Sequence, residues 1–274
     1  MRFDLSNCRF AFLDLETTGL SPWFGDRICQ VGIVQTEGKR IKQTFELLIN
    51  PEHPLSPAAA RANGFTDEQL AGAPRFSEVM DEVDAALQDS VIVCHNAKFD
   101  LGFLDSESRR LGREIQIPNL IDTLLMARQY FQLPSYSLGS LAEAFDVPLV
   151  DEHPLRGLRG AQADALSTRN VFFGMMDALK ELNKPLDDYI GIYNSPAWPD
   201  EGVQLPTELG EAIYSGKPIF IRYVNKEGEQ SQRWVTPMHV IGLADYIYLQ
   251  AYCHLREAER SFRLDRIVEV RVEA

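Results

Sequence analysis

No run of 18 or more apolar residues occurs in this 274-residue chain, so no membrane-spanning helix and no membrane partner are expected. The N-terminal segment carries Asp4 and reaches Asp14 and Glu16 without a cleavable apolar stretch, and no secretory signal is expected. Cysteine is scarce: Cys8, Cys29, Cys94 and Cys253 are scattered and form no C-x-x-C pair. That argues against a zinc ribbon and a disulfide framework, and makes reduced thiols in the cytoplasm the expectation. Internal repeats and low-complexity tracts are also missing. Positive charge is in deficit, since 27 Lys and Arg face 40 Asp and Glu, for a formal net charge of -13. A protein that wraps long duplex DNA by neutralising many phosphates reads the other way. Any contact with nucleic acid should therefore be confined to a small site whose charge is supplied locally, as clustered carboxylates holding divalent cations would supply it.

What is present reads as an ordinary globular composition, 45% hydrophobic and 24% charged, which sets aside disordered and fibrous classes. Apolar, β-branched runs at 9–15, 28–36 and 41–49 are joined by short turn-rich segments and fit an antiparallel meander. A helical pattern at 76–87 leads into the apolar run 91–94, and further helical patterns fall at 99–111, 122–131, 138–145 and 161–179. The first domain, 1–183, is thus expected to be α/β, a mixed sheet with flanking helices. Pro185, Pro196, Pro199 and Pro206 interrupt 184–206, which reads as a linker. In the remainder, 207–274, a short helix is expected at 208–215. Strands follow at 219–224, 232–236, 239–243, 246–253, 260–264 and 267–272, suggesting a small curved sheet or β-barrel.

Three segments carry acidic residues in positions that need explaining. In FAFLDLETTG (10–19) alternation puts Asp14 and Glu16 on one strand face, about 6–7 Å apart, with Phe10 and Phe12. Carboxylates in so apolar a strand are costly unless a cation or hydrogen-bond donors compensate them; the other reading is a strand end emerging into solvent. In VIVCHNAKFD (91–100) a buried strand ends at His95 and Asn96, and Asp100 falls in the first turn of the next helix, where the helix dipole also favours it. In RGAQADA (159–165) Gly160 and Ala161 lie one turn before Asp164 on the same helix face and leave room for a ligand.

Taken together the three segments resemble the DEDD exonucleases, the DnaQ-like proofreading 3′→5′ enzymes typified by the epsilon subunit of bacterial DNA polymerase III. The resemblance covers about residues 8–183. It is carried by FLDLETTGL (12–20), HNAKFD (95–100) and the helix of Asp164, with weaker supports in INP (49–51), NGFT (63–66), DTLLMAR (122–128) and YSL (136–138). It implies a ribonuclease H-like fold and two divalent ions, Mg²⁺ or Mn²⁺, held by Asp14, Glu16, Asp100 and Asp164. It also implies that Thr17, Gly19 and Leu20 grip the terminal nucleotide of a short single-stranded 3′ end, DNA or RNA. His95, Asn96, Phe99, Asn63 and Phe65 would help to line the same cleft, although Leu20 and Phe65 can equally be plain packing residues.

One position departs from the pattern. The histidine subtype of that family places its base five residues before the last Asp, where this chain has Arg159; the tyrosine subtype would use position 160, which is Gly160. Arginine stays protonated at any working pH, so it can grip a phosphate but cannot take a proton. His153, in a loop-like stretch upstream, is the candidate replacement base. An ordinary loop histidine, with slower hydrolysis unaided by a protein base, is the competing reading.

In YIYLQAY (246–252) alternation puts Tyr246, Tyr248 and Tyr252 on one face, and RSFRLDR (260–266) brings three arginines to a neighbouring strand. Arginine beside aromatic rings suits single-strand stacking and phosphate contact; arginines paired to Glu257, Glu259 and Asp265 are the alternative. The region resembles a WYL domain, a small Sm- or SH3-like β-barrel, through IFIRY (219–223), RWVTP (233–237), Tyr248 and Leu249, and RSFRLDRI (260–267), although the Trp of that name is Ile247 here. The resemblance implies a nucleic-acid or nucleotide ligand, with Tyr223, Arg233, Tyr248, Arg260, Arg263 and Arg266 as candidates. The sequence as a whole points to a metal-dependent 3′→5′ exonuclease with a nucleic-acid-recognising second domain. The alternative is a catalytically weak exonuclease-like module used for binding or sensing.

Overall fold

Residues 7–20, 22, 25–150, 160–180, 189–194, 209, 212, 217–243 and 246–272 are described by the structure, a computed structural model. The opening apolar runs form β1 (Arg9–Thr17), β2 (Ile28–Glu37) and β3 (Arg40–Leu48), an antiparallel meander in which Phe12 pairs with Val34 and Asp14 with Gly32. On its other side β1 pairs in parallel with β4 (Val91–Cys94), β4 in parallel with β5 (Gln116–Asp122), and β5 antiparallel with β6 (Gly191–Asn194). The result is a six-stranded mixed sheet in the order β3-β2-β1-β4-β5-β6. Its helices are α1 (Pro57–Asn63), α2 (Asp67–Ala71), α3 (Phe76–Leu87), α4 (Ala97–Arg110), α5 (Thr123–Tyr130), α6 (Leu138–Ala144) and α7 (Ala161–Lys180).

Strand β1 runs through the middle, and its alternation sorts two cores. Phe10 and Phe12 meet Phe172 and Phe173 of α7, with ring centroids 5.2 to 5.9 Å apart. Ala11, Leu13 and Leu15 face the opposite layer, where Val79, Met80 and Val83 of α3 join Leu101, Phe103 and Leu104 of α4. Asp14 and Glu16 continue the phenylalanine face, so the helix that buries the apolar half of that face begins beside its acidic half.

By compactness the chain divides into two units: Met1–Thr18, Arg27–Leu55 and Ala59–Asn194 in the first, Gly19–Asp26, Ser56–Ala58 and Ser195–Ala274 in the second. The second holds an antiparallel sheet of β7 (Ile219–Val224), β8 (Gln230–Leu243), β9 (Tyr246–Cys253), β10 (Ala258–Arg263) and β11 (Ile267–Val272), in the order β10-β9-β8-β7-β11. Ile219, Ile221, Val235, Leu249, Ala251, Phe262 and Leu264 form its core together with Leu209 and Ala212. The barrel expected there takes the form of a five-stranded sheet: among the described residues β10 and β11 are joined by the 3-10 turn Leu264–Arg266 and share no ladder.

Three expectations need correction. The segment read as a linker contains β6, a strand too short to show alternation, secured by its pairing with β5 and by the Tyr193 hydroxyl donating to the Leu101 carbonyl at 3.3 Å. The two strands expected at 232–236 and 239–243 are one, β8, whose register shifts between Pro237 and His239. Proline lacks the ladder N–H, and a bulge is where a strand tolerates that loss. Helices α1 and α2 and strand β5 were not anticipated. Of the helix expected at 208–215, only Leu209 and Ala212 lie within the described residues. No helix among the described residues is long and apolar enough to cross a membrane.

The four-ring contact between β1 and α7 should dominate the stability of the first unit. Phe172→Ala is expected to destabilise it by about 3–5 kcal/mol, read from the urea midpoint, and a loss under about 1 kcal/mol would remove the rings from that role.

Candidate active site

The β1 periodicity puts the Asp14 and Glu16 side chains on one face, and the first turn of α7 brings Asp164 to them. One carboxylate oxygen from each lies within 4.8 Å of the others, and all three residues are half-buried. Helix α7 comes this close because Gly32, paired with Asp14, has no side chain: a Cβ there would meet the backbone of Ala161 and Gln162 at 2.2 to 2.4 Å. Three acids from two distant segments thus form a group able to hold a divalent cation.

Asp100 stands outside that trio. It is buried in the first turn of α4, and its Oδ1 accepts the Leu15 N–H at 3.0 Å, between the two β1 acids in sequence. Burial holds its pKa well above the usual carboxylate range; backbone N–H donors oppose the shift, while Asp122 and Glu16 add to it.

The turn leading into α4 is fixed by Asp122, to which the helical pattern at 122–131 assigns no role of its own. The Asp122 carboxylate accepts N–H groups of Leu124 and Leu125 at 2.9 and 3.2 Å, capping α5. It also accepts from Asn96 at 3.2 Å and Ala97 at 3.0 Å, at the start of α4. One side chain therefore serves two helix N-termini, whose first N–H groups have no intrahelical partner. Asn96 adopts a left-handed conformation, φ 70°, with its side chain exposed. His95 Nδ1 lies 3.0 Å from the Thr123 hydroxyl, which donates to the Cys94 carbonyl. Burial lowers the His95 pKa, with Asp122 acting against the shift. Phe99 is half-buried and packs on Phe103, ring centroids 5.0 Å apart.

Past the acids, the Thr17 carbonyl accepts the Asn63 side-chain amide at 2.9 Å, and Asn63 is buried. Phe65 is buried with Cys29 and Leu70. Leu20 is 56% exposed, and a Cβ on Gly19 would collide with the Asp26 carboxylate at 2.3 to 2.5 Å. Arg27 closes the base of this excursion. Its carbonyl accepts the Thr18 N–H at 2.9 Å, its own N–H donates to the Thr18 hydroxyl, and its guanidinium grips Glu107 of α4 through two bonds of 2.6 and 2.8 Å. The helix that carries Asp100 is thus tied to the end of β1. His153 and Arg159 both lie outside the described residues.

In the second unit the candidate ligand residues divide between two faces. Tyr223 and Arg233 belong to the core face: Tyr223 packs edge-on against Phe262, and Arg233 donates to the Ser231 hydroxyl at 3.1 Å and reaches Cys253 Sγ at 3.8 Å. Burial pushes the Cys253 thiol pKa up, but hydrogen bonds from Arg233 and the backbone outweigh it, leaving the thiol below its ordinary value. Tyr248 and Arg263 pair on the outer face, where Arg263 lies 3.4 Å over the Tyr246 ring and bonds to Asp265. Arg260 is exposed opposite Ala251, and Arg266 sits half-buried in the 3-10 turn.

A mixed sheet in this order, with acids from its central strand and its long C-terminal helix converging, defines a ribonuclease H-like nuclease domain. The Exonuclease family profile matches residues 11–168, and the WYL domain profile matches 204–272. The chain belongs to this exonuclease family, in its DnaQ-like, epsilon-type branch, and carries a WYL domain behind it. Over 195 residues it is 34% identical to DNA polymerase III subunit epsilon of Rickettsia conorii, covering 69% of this chain and 83% of that protein. Over 174 residues it is 34% identical to the PolC-type DNA polymerase III of Caldanaerobacter subterraneus subsp. tengcongensis, covering 63% of this chain but only 12% of the polymerase. In fold it is similar to the nuclease domain of 3′hExo, a DEDDh family member bound to rAMP, with 16% identity and a TM-score of 0.54 over 70% of this chain and all of that one.

Asp122→Ala should cost about 2 kcal/mol, about one for each helix end that it caps, with Asp122→Asn losing less. Urea unfolding of both variants measures this, and wild-type stability in the alanine variant would show that the shared cap contributes nothing.

Proposed function

We propose that this chain is a metal-dependent 3′→5′ exonuclease acting on short single-stranded 3′ ends of nucleic acid. The observation that carries the reading is the convergence of Asp14, Glu16 and Asp164 within 4.8 Å. Like charges so close favour a cation among them, and their hard oxygen donors suit Mg²⁺ or Mn²⁺. These three residues, with Asp100 as a fourth carboxylate, would hold two ions. Bound there, the ions would promote attack of water at phosphorus and stabilise the departing 3′-oxygen. The chain's own residues do the rest. Leu15 orients Asp100 through its N–H; Thr17, Gly19 and Leu20 receive the terminal nucleotide; His95, Asn96, Phe99, Asn63 and Phe65 shape the cleft. A relative named for DNA polymerase III and a fold neighbour bound to rAMP support nucleic acid as the substrate class, DNA or RNA.

The WYL domain, which we take as 207–274 behind the connecting segment 184–206 that also supplies β6, is read as an Sm- or SH3-like barrel. In that reading it captures nucleic acid or a nucleotide, with Tyr223, Arg233, Tyr248, Arg260, Arg263 and Arg266 as the candidate contacts. A second reading, a binding or sensing module with weak catalysis, is favoured by one observation: Arg159 stands where the base of the histidine subtype belongs.

Single-stranded DNA and RNA labelled at the 5′ end, incubated with Mg²⁺ or Mn²⁺, should yield a ladder of shortened labelled products. Asp14→Ala should abolish it. Calorimetry showing undiminished Mn²⁺ binding in an Asp14→Ala, Asp164→Ala double variant would sink the metal assignment, and a full-length substrate with wild-type protein would favour the sensing reading.

The base is tested separately. His153→Ala should lower turnover about 10²-fold or more with KM little changed, and Arg159→His should raise it. An unaltered rate in the first variant removes His153 from the mechanism.

A further inference from the structure

Asp164 reaches the acids of β1 only if α7 starts at one place above the sheet, and β2 sets that place. Gly32 provides the clearance. Two residues earlier, Gln30 pairs with Glu16 and is buried. Its Oε1 accepts the N–H of Ala161, the first residue of α7, at 3.0 Å, while its Nε2 donates to Glu46 Oε1 on β3 at 3.1 Å. Glu46 is exposed and pairs with Gly32 across the β2–β3 ladder.

The first N–H groups of a helix have no partner within it and are ordinarily met by a side chain just before the helix. Here one is met from a strand 131 residues away in sequence. A glutamine amide has one accepting and one donating end. A carboxylate only accepts when ionised, so Glu46 takes the donating end and turns the accepting end toward α7. A glutamate at position 30 could also accept the Ala161 N–H, but it would add a negative charge between Glu16 and Glu46. The neutral amide seats the helix without that repulsion.

We propose that Gln30, oriented by Glu46, is a positioning residue of the acidic site: it seats the first turn of α7 so that Asp164 joins Asp14 and Glu16. Neither residue acts on substrate. The inference rests on the reading of the acids as a cation site, and its effect is read first as cation affinity.

The test is calorimetric titration of the full chain with Mn²⁺ alone, together with thermal unfolding in the absence of metal. Asp14→Ala serves as the control and should lose binding. Gln30→Leu and Glu46→Ala should each weaken Mn²⁺ about 10-fold or more, the scale on which outer-shell partners act. Because Glu46 is exposed, Glu46→Ala should keep the wild-type unfolding midpoint, so it remains informative if Gln30→Leu folds poorly. The double variant Gln30→Glu with Glu46→Gln reverses the two roles at constant net charge and should recover most of the lost affinity. Wild-type Mn²⁺ affinity in Glu46→Ala, or no recovery in the double variant, overturns the proposal provided that Asp14→Ala has lost binding. Binding retained by Asp14→Ala instead overturns the cation site itself, and this inference falls with it.

Discussion

Like charges repel, and the end of β1 gathers three of them. Asp14, Glu16 and Asp164 present oxygens within 4.8 Å of one another. At that spacing each ionised pair costs on the order of 3 kcal/mol for an effective dielectric of about 20. Three such pairs rival the whole free energy that keeps a domain folded, about 5–15 kcal/mol. The surrounding structure holds such a cluster together, and a cation among the acids would relieve the repulsion. Much of the first unit reads as the answer to the holding half of that problem.

The apolar half of the β1 face supplies the anchor. Phe10 and Phe12 pack on Phe172 and Phe173, two turns and more beyond Asp164 along α7. Burial of those rings holds the helix down against the repulsion at its start. Close approach then needs an absence, the missing Cβ of Gly32, because the helix backbone occupies that space. On the opposite layer, α4 is located from both sides of its first turn, by Asp122 at its N–H groups and by Leu15 at Asp100. Farther along, Glu107 locks it to Arg27 in an ion pair whose carboxylate side chain is only 3% exposed. Removing one partner of such a buried pair typically costs about 3–5 kcal/mol, because the other is left uncompensated. These contacts are rigid and non-local, which suits a site whose charges must not drift apart.

That non-locality also explains what could be read from the sequence and what could not. Strand β1 was legible to the level of its two faces, because period-2 alternation is written in adjacent residues. The bounds of α3, β4, β7, β9 and β11 were equally plain, the strands as short apolar or alternating runs and α3 as a helical pattern of twelve residues, long enough to declare itself. Helices α1 and α2, of seven and five residues, are too short for a 3.6-residue period to declare itself, and β5 carries Pro118 and Asn119 in its middle. The acids were visible through their spacing and the family resemblance. Their supports were not: Leu15 to Asp100 spans 85 residues, Arg27 to Glu107 spans 80, and Gln30 to Ala161 spans 131. A glutamine or glycine inside a β-branched run carries no mark of the helix that will land on it. Asp122 carries a local signal that went unused, since an Asp before a helical run is a readable cap; its second duty toward α4 has no such signal.

The second unit poses the converse question, because its candidate contacts were legible as residues and not as a surface. Alternation marked Tyr246, Tyr248 and Tyr252 as one face, and the ladder keeps them there with Arg263 opposite Tyr248. Tyr223 and Arg233 fall on the other face, toward Phe262 and Cys253. The six candidate contacts are therefore spread over both sides of one sheet rather than gathered on one surface. The two arginines also differ in what an anion must displace. Arg263 is already bonded to Asp265, so a phosphate arriving there competes with a carboxylate held by charge-assisted bonds. Arg233, among the described residues, engages the neutral Ser231 hydroxyl, the Cys253 sulfur and the Phe262 ring. An anion on that side gains a guanidinium without first breaking an ion pair. The outer face carries the exposed Tyr246 and Tyr252, the first with Arg263 lying over its ring and the second edge-on to His254. Arginine and aromatic rings thus stand on both faces, Arg263 with Tyr246 and Tyr248 on one and Arg233 with Tyr223 on the other, and a ligand confined to one face would meet only part of the candidate set.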